Sequence, residues 1–188
     1  MYQDKYIFLL VAPSGSGKDT VANKLCEDYG FTKVRSYTTR PRRVNDNTDT
    51  HNHLFITEEV YQNIISTQQV VATTIFSDYH YCATQEQINN NDLYIVDICG
   101  IETLKHNYIG TKQVKVIGIE CSLDDREERM LKRGDNVNQV CRRLAHDVRA
   151  FYGWNNHLDI CFTNNNNELE NCCKQIKSYV DKLLECEE

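Results

Sequence analysis

A chain of 188 residues is long enough to bury one core without metal or disulfide staples. With 27 acidic against 21 basic side chains and a formal charge of −6, it is too acidic for a nonspecific nucleic-acid binder. Its nine cysteines are odd in number with no C-x-x-C pair, and Met1-Tyr-Gln-Asp-Lys5 is not a secretory leader. No apolar run reaches bilayer length, so the expectation is a cytoplasmic protein with reduced cysteines and no membrane partner.

The first element is the apolar run Tyr6-Ile-Phe-Leu-Leu-Val11, which reads as a buried strand. Ala12-Pro-Ser-Gly-Ser-Gly-Lys-Asp-Thr20 follows it directly, and a helix-like segment, Val21 to Cys26, comes next. Strand, glycine-rich turn and helix in that order point to a phosphate-binding loop rather than to a turn that merely starts a helix. Gly15 and Gly17 let the backbone wrap with N–H groups facing inward, and Lys18 can reach the outer phosphates. Ser14, Gly15, Ser16, Gly17, Lys18, Asp19 and Thr20 are therefore the candidate ATP-binding residues. The spelling departs from G-x-x-x-x-G-K-[ST] at Ala12 and at Asp19. A carboxylate is a hard oxygen ligand, so Asp19 and Thr20 are the candidate magnesium residues.

Segment 35–57 is polar and irregular. It opens Ser36-Tyr-Thr-Thr-Arg40-Pro-Arg-Arg43, where proline disfavours a continuous helix and leaves the arginines on a loop or extended edge. Further apolar runs, Val70 to Phe76, Leu93 to Ile98, Val114 to Ile119 and Leu158 to Phe162, alternate with helical patterns and predict an α/β layout with a mainly parallel sheet. Ser122 caps a predicted helix that carries Asp124 and Asp125 in its first turn and ends at Gly134. Residues 134–141 read as a polar connection between two arginine-bearing helices, the anatomy of a lid or an ordinary surface turn. Residues 168–184 space Leu169, Cys172, Ile176, Tyr179 or Val180, and Leu183 as one face of a surface helix. Nine of the ten arginines fall into two clusters, 35–43 and 126–143, and an acidic protein that gathers its guanidinium forks in this way aims them at something anionic. Arg126 and Arg142 lie off the motifs and read as salt-bridged surface charges.

With the loop and the arginines in view, the chain resembles the guanylate kinase family over nearly its whole length. The pattern G-P-S-G-x-G-K-S-T is answered by Ala12 to Thr20, and S-x-T-T-R-x-x-R by Ser36, Thr38, Thr39, Arg40 and Arg43. The family's next acceptor tyrosine falls on His53, and its Y-Y-G-S-T element on His80-Tyr81-Cys82-Ala83-Thr84. The lid pattern R-x-x-x-R-G followed by R-L matches Arg129, Arg133, Gly134, Arg143 and Leu144, with the connection one residue short. The resemblance implies a P-loop NTPase fold, a three-layer α/β/α arrangement with an acceptor-binding insertion and a lid. Its boundaries fall at about 1–34, 93–128 and 144–188 for the core, about 35–92 for the acceptor region and about 129–143 for the lid.

It also implies a magnesium-dependent kinase that moves the γ-phosphoryl group of ATP to the phosphate of a small acceptor, most simply a nucleoside monophosphate, in a monomer or homodimer. Ser36, Arg40, Arg43, His53, Tyr81 and Asp97 would serve the acceptor, with Asp97 also placed to organise magnesium through water. Lys18, Arg40, Arg129, Arg133 and Arg143 would carry the transfer. The departures fall where the family reads guanine, because its three base-contacting groups align with Ala72, Ala83 and Cys99. Ser14-Gly-Ser-Gly-Lys-Asp19, Tyr37-Thr-Thr-Arg40 and Asn52-His-Leu54 also look like ribose 1,5-bisphosphate phosphokinase, the alternative enzyme. A noncatalytic guanylate-kinase-like binding module is the alternative of another class, and it leaves Lys18 and the lid arginines without a use.

Overall fold

A computed structural model describes residues 5–42, 52–76 and 78–185. In chain order the elements are β1 (Tyr6–Val11), α1 (Lys18–Tyr29), β2 (Ser36–Thr38), β3 (His53–Phe55), α2 (Glu58–Thr67), β4 (Val70–Phe76), β5 (Tyr79–Thr84) and α3 (Gln85–Asn89). They continue as β6 (Leu93–Ile95), α4 (Ile98–Asn107), β7 (Gln113–Glu120), α5 (Leu123–Lys132), α6 (Val137–Ala150), a 3-10 turn (Trp154–His157), β8 (Ile160–Thr163) and α7 (Leu169–Glu185). The strands form two four-stranded sheets, ordered β6-β1-β7-β8 and β3-β2-β5-β4. All six residues of β1 are buried, as a continuous apolar run demands of a strand covered on both faces.

The chain divides into two compact units, Met1–Leu9 with Phe31–Lys115, and Leu10–Gly30 with Val116–Glu188. In the first, β2 runs parallel to β3 and antiparallel to β5, and β5 pairs antiparallel with β4. Tyr61, Ile64 and Cys82 form a small core there, with Tyr37, Ile56 and Val70 packed against it. In the second, β7 runs parallel to β8 with Ile117 opposite Ile160, and Val21 and Leu25 of α1 are buried together with Cys172, Cys173, Ile176 and Val180 of α7. Cys173 donates from Sγ to Val21 O at 3.9 Å, and none of the eight cysteines among the described residues is in a disulfide.

Several element boundaries differ from the sequence reading, and three of them show how the chain ends or starts an element. The run Leu93 to Ile98 is strand only to Ile95, because the Asp97 side chain accepts from Gly100 N at 2.6 Å and starts α4, which takes Ile98 into the helix. The lid connection is shorter than residues 134–141. Asn136 and Gln139 form a reciprocal capping box, so α6 begins at Val137. The last strand begins at Ile160 rather than Leu158, after the 3-10 turn over Trp154–His157.

Candidate active site

The second unit carries the predicted phosphate loop. Gly15 and Gly17 have φ of +80° and +81°, the left-handed region that the loop's wrap requires. Ser16 N–H closes a turn onto Pro13 O at 3.2 Å, and Val21 N–H begins the helix on Gly17 O at 2.9 Å. The outer carbonyls of the loop are held by side chains. Ser14 O accepts from Arg126 Nε at 2.8 Å, while Ser16 O accepts from Asn164 Nδ2 at 2.8 Å and from Arg129 Nη1 at 3.3 Å. In a planar trans peptide the carbonyl and the next N–H point in opposite directions, so these contacts turn the Gly15 and Gly17 N–H groups to the other side of the loop.

Lys18 Nζ lies 3.7 Å from Asp19 Oδ2, and both side chains remain accessible at the start of α1. Asp19 and the following Thr20 offer hard oxygens, and no group of three His, Cys, Asp or Glu among the described residues makes a metal cage. One carboxylate beside a phosphate loop is a donor set that fits magnesium, an ion that keeps its waters and takes further oxygens from substrate phosphates.

Of the arginines predicted for the lid, Arg133 and Arg143 meet at one carboxylate. Asp135 Oδ2 lies 2.5 Å from Arg133 Nη2 and 3.6 Å from Arg143 Nε. Arg129 is instead engaged with the loop, and it also reaches Asn166 Oδ1 at 3.2 Å and Cys121 Sγ at 3.4 Å. Burial pushes the Cys121 thiol up, with the Arg129 charge opposing.

The first unit carries the predicted acceptor residues. Thr38, wholly buried, accepts Arg40 N–H on its hydroxyl at 3.1 Å, and Thr39 pairs with the His80 backbone through its own N–H and hydroxyl. The two threonines thereby turn the chain out of β2 and aim Arg40 at β5. Arg40 Nε donates to Tyr81 Oη at 3.1 Å, and its guanidinium stands 5.4 Å from the Phe55 ring centre. Ser36 Oγ and His53 Nδ1 are 2.9 Å apart, and the His53 ring meets Tyr81 edge-on at 5.5 Å. Ser36, Arg40, His53 and Tyr81 thus come together, whereas Arg43 lies outside the described residues. Asp97 sits apart in its interactions. One of its oxygens caps α4 and the other accepts from Thr74 Oγ1 at 2.8 Å.

Ala72 and Ala83 are partners in the β4–β5 register, with relative exposures of 1% and 0%. The positions expected to read guanine therefore form one buried apolar pair, and Cys99, the third, is exposed in the first turn of α4.

The family model for guanylate kinase matches residues 4–183. The chain belongs to the guanylate kinase family. As a member it is an ATP-dependent nucleoside monophosphate kinase, a phosphotransferase acting on small molecules. It is 27% identical over 184 residues to a guanylate kinase of Legionella pneumophila (strain Paris), covering 93% of this chain and 84% of the relative. It is 22% identical over 186 residues to a guanylate kinase of Porphyromonas gingivalis, covering 95% and 97%. The crystal structure of guanylate kinase from Anaplasma phagocytophilum superposes with a TM-score of 0.63 at 21% identity, over 95% of this chain and 86% of that one. An uncharacterized protein from Eubacterium ventriosum shares the fold with a TM-score of 0.55 at 14% identity, over 95% and 99%. The mixed α/β architecture with its parallel sheet is accordingly the P-loop NTPase fold that the sequence implied.

Two partners, Asp147 and Asn164, were not singled out in the sequence, and a third, Arg126, has a different setting from the one expected. Asp147 and Val140 are the buried residues of α6, seven apart on one face, and a lone carboxylate on an apolar face was the available signal. Arg126, read as a surface charge, is ion-paired as expected, but with Asp147 in a nearly buried pair, at side-chain exposures of 12% and 6%. Asn164 lies within a four-asparagine loop with nothing in the spelling to distinguish it from its neighbours.

Proposed function

We propose that the enzyme binds ATP on residues 14–20 and transfers its γ-phosphoryl group to the phosphate of a nucleoside monophosphate with little or no preference for guanine. The observation that carries the acceptor reading is the Ala72–Ala83 pair. Discriminating a base needs buried donors and acceptors that are left unpaired by the wrong base, and two apolar methyl groups offer none.

Phosphoryl transfer asks for positioning and charge compensation more than for covalent chemistry. Lys18 and the inward-turned N–H groups hold the donor phosphates, and Arg133 and Arg143 exchange Asp135 for the transferring group as negative charge develops on it. Arg129 contributes by holding the loop at Ser16 O as well as by its charge. Ser36, Arg40, His53 and Tyr81 grip the acceptor phosphate, with Arg43 beside them in sequence. Asp97 orients the start of α4 and ties it to Thr74 of β4. Asp19 and Thr20 would hold magnesium, which would supply neutralisation of the phosphate charge.

On this reading the acceptor region spans about 35–92, the lid about 129–143, and the core the remainder. Among the described residues no helix is long and apolar enough to cross a membrane, and membership of the family supports a cytoplasmic setting. The deciding experiment measures kcat/KM for GMP, dGMP, AMP, CMP, UMP, dTMP and ribose 1,5-bisphosphate at one ATP and magnesium concentration. Comparable values across several mononucleotides are expected. An exclusive preference for GMP would refute the acceptor reading, and turnover of ribose 1,5-bisphosphate alone would replace it.

A further inference from the structure

Ser14 is gripped by both helices that flank the lid connection. From α5, Arg126 donates through Nε to Ser14 O at 2.8 Å and through Nη2 to Asp147 Oδ2 at 2.5 Å. From α6, the same Asp147 accepts Ser14 N–H on Oδ2 at 2.8 Å and the Ser14 hydroxyl on Oδ1 at 3.2 Å. The His146 ring, the other titratable group facing this carboxylate, stands 3.7 Å from Oδ1 and is largely exposed. Backbone packing reinforces the contact, since a Cβ added to Gly15 would lie 2.6 Å from Arg126 O.

We propose that Arg126 and Asp147 form a two-helix clasp on Ser14 that fixes the plane of the Ser14–Gly15 peptide, so that Gly15 N–H faces the ATP phosphates. Both are positioning residues for the donor, and they rest on the assignment of residues 14–20 to ATP. Arg126 fixes the carbonyl end of the peptide, and trans geometry then fixes the N–H end. Asp147 fixes the preceding N–H and neutralises Arg126, which keeps an uncompensated charge out of a nearly buried position. A surface ion pair needs none of this geometry. The fork is what matters, because a single guanidinium bonds the carbonyl and the carboxylate at once, whereas an ammonium is a point charge without that fixed geometry.

The test measures ATP affinity by isothermal titration calorimetry, with KM for acceptor and melting temperature alongside, for Arg126→Ala, Arg126→Lys, Asp147→Ala and the Arg126→Ala/Asp147→Ala double variant. Arg126→Ala is expected to weaken ATP binding about tenfold with acceptor KM unchanged, and the double variant to bind no more weakly than that single, because the two residues act as a unit. Arg126→Lys keeps a charge opposite Asp147 and so should fold, and it carries the test if the alanine variant does not. It is expected to melt near the parent yet lose ATP affinity severalfold. A lowered melting temperature with ATP affinity within twofold of the parent in both Arg126 variants would overturn the proposal, as would additive losses in the double variant. Lys18→Ala is the reference. If it also leaves ATP affinity intact, the loop assignment itself falls, and if it alone loses affinity, only the clasp does.

Discussion

Replacing Gly15 by alanine is the sharpest single test of how the phosphate loop is built. Two separate effects add at this position. With φ at +80°, an L-residue is held in the left-handed region at about 1–2 kcal/mol. The new methyl would also sit 2.6 Å from Arg126 O, 3.0 Å from its Cα and 3.1 Å from its carbonyl carbon. All three are backbone atoms of α5, so no rotamer change relieves the overlap, and overpacking of this kind costs about 1–3 kcal/mol. The sum, about 2–5 kcal/mol, is a large share of the stability of an ordinary domain. For a chain of this size it corresponds to a fall of about 4–20 °C in melting temperature at about 2–4 °C per kcal/mol. Gly30 is the matched control. Its φ is +71° with nothing within 4 Å of an added methyl, so Gly30→Ala should show the backbone effect alone, about 1–2 kcal/mol. Calorimetric melting of both variants, with ATP titration of each, reads the difference. Gly15→Ala should melt lower and bind ATP more weakly than Gly30→Ala. Equal melting temperatures would mean that α5 does not press on the loop as described, and the reasoning about Ser14 and Gly15 would fail with it.

Arg40→Ala removes a charged partner from the acceptor cluster and should raise acceptor KM at least tenfold, in line with about 1.5–3 kcal/mol for a hydrogen bond to a charged group, while ATP affinity stays unchanged. Steady-state kinetics with each substrate varied in turn checks this. Asp19→Ala should raise the magnesium concentration for half-maximal activity more than it alters metal-free ATP affinity, and an unchanged magnesium titration would leave Asp19 as a first-turn acid favouring the helix start. Alkylation at pH 8 followed by peptide mass spectrometry should modify the exposed Cys99 and Cys141 and spare Cys82, Cys172 and Cys173. Burial raises the last three thiols to about 11, about 12 and about 11, so at pH 8, well below those values, they are protonated as well as hidden.

The parts of the fold that were legible in the sequence are those specified by local chemistry. A six-residue apolar run became a fully buried strand, and Ser122 caps α5 by accepting Asp125 N–H at 3.2 Å. Ser36 and Arg40, His53, and Tyr81 lie on three separate segments and come together because β2, β3 and β5 belong to one sheet, while Arg43 of the same predicted set lies outside the described residues. What could not be read were contacts whose meaning depends on a partner far along the chain. Asp97 ends an apolar run, and nothing local says that its two oxygens go to Gly100 N–H and to Thr74, 23 residues earlier. Arg126 shows the same limit from the other side. On a helix its charge alone suggests a solvated face, and only the approach of Asp147 and Ser14 gives it a buried role.

Under the proposed assignment, the contrast between the phosphate and base ends of the acceptor site follows from how each kind of recognition tolerates change. Phosphate is held by charge and by several redundant donors, so a histidine at position 53 in place of a tyrosine still presents a polar ring beside Ser36 and Tyr81. Base reading depends on complementary buried groups, where one unpaired member costs about 1–3 kcal/mol. Ala72 and Ala83 face each other across β4 and β5, so a polar group kept at only one of them would be buried against a methyl. Removing both is the low-cost arrangement, since an apolar pair closes the strand interface with no partner missing. If the proposed acceptor reading holds, the two alanines act as one change in specificity rather than as two independent losses.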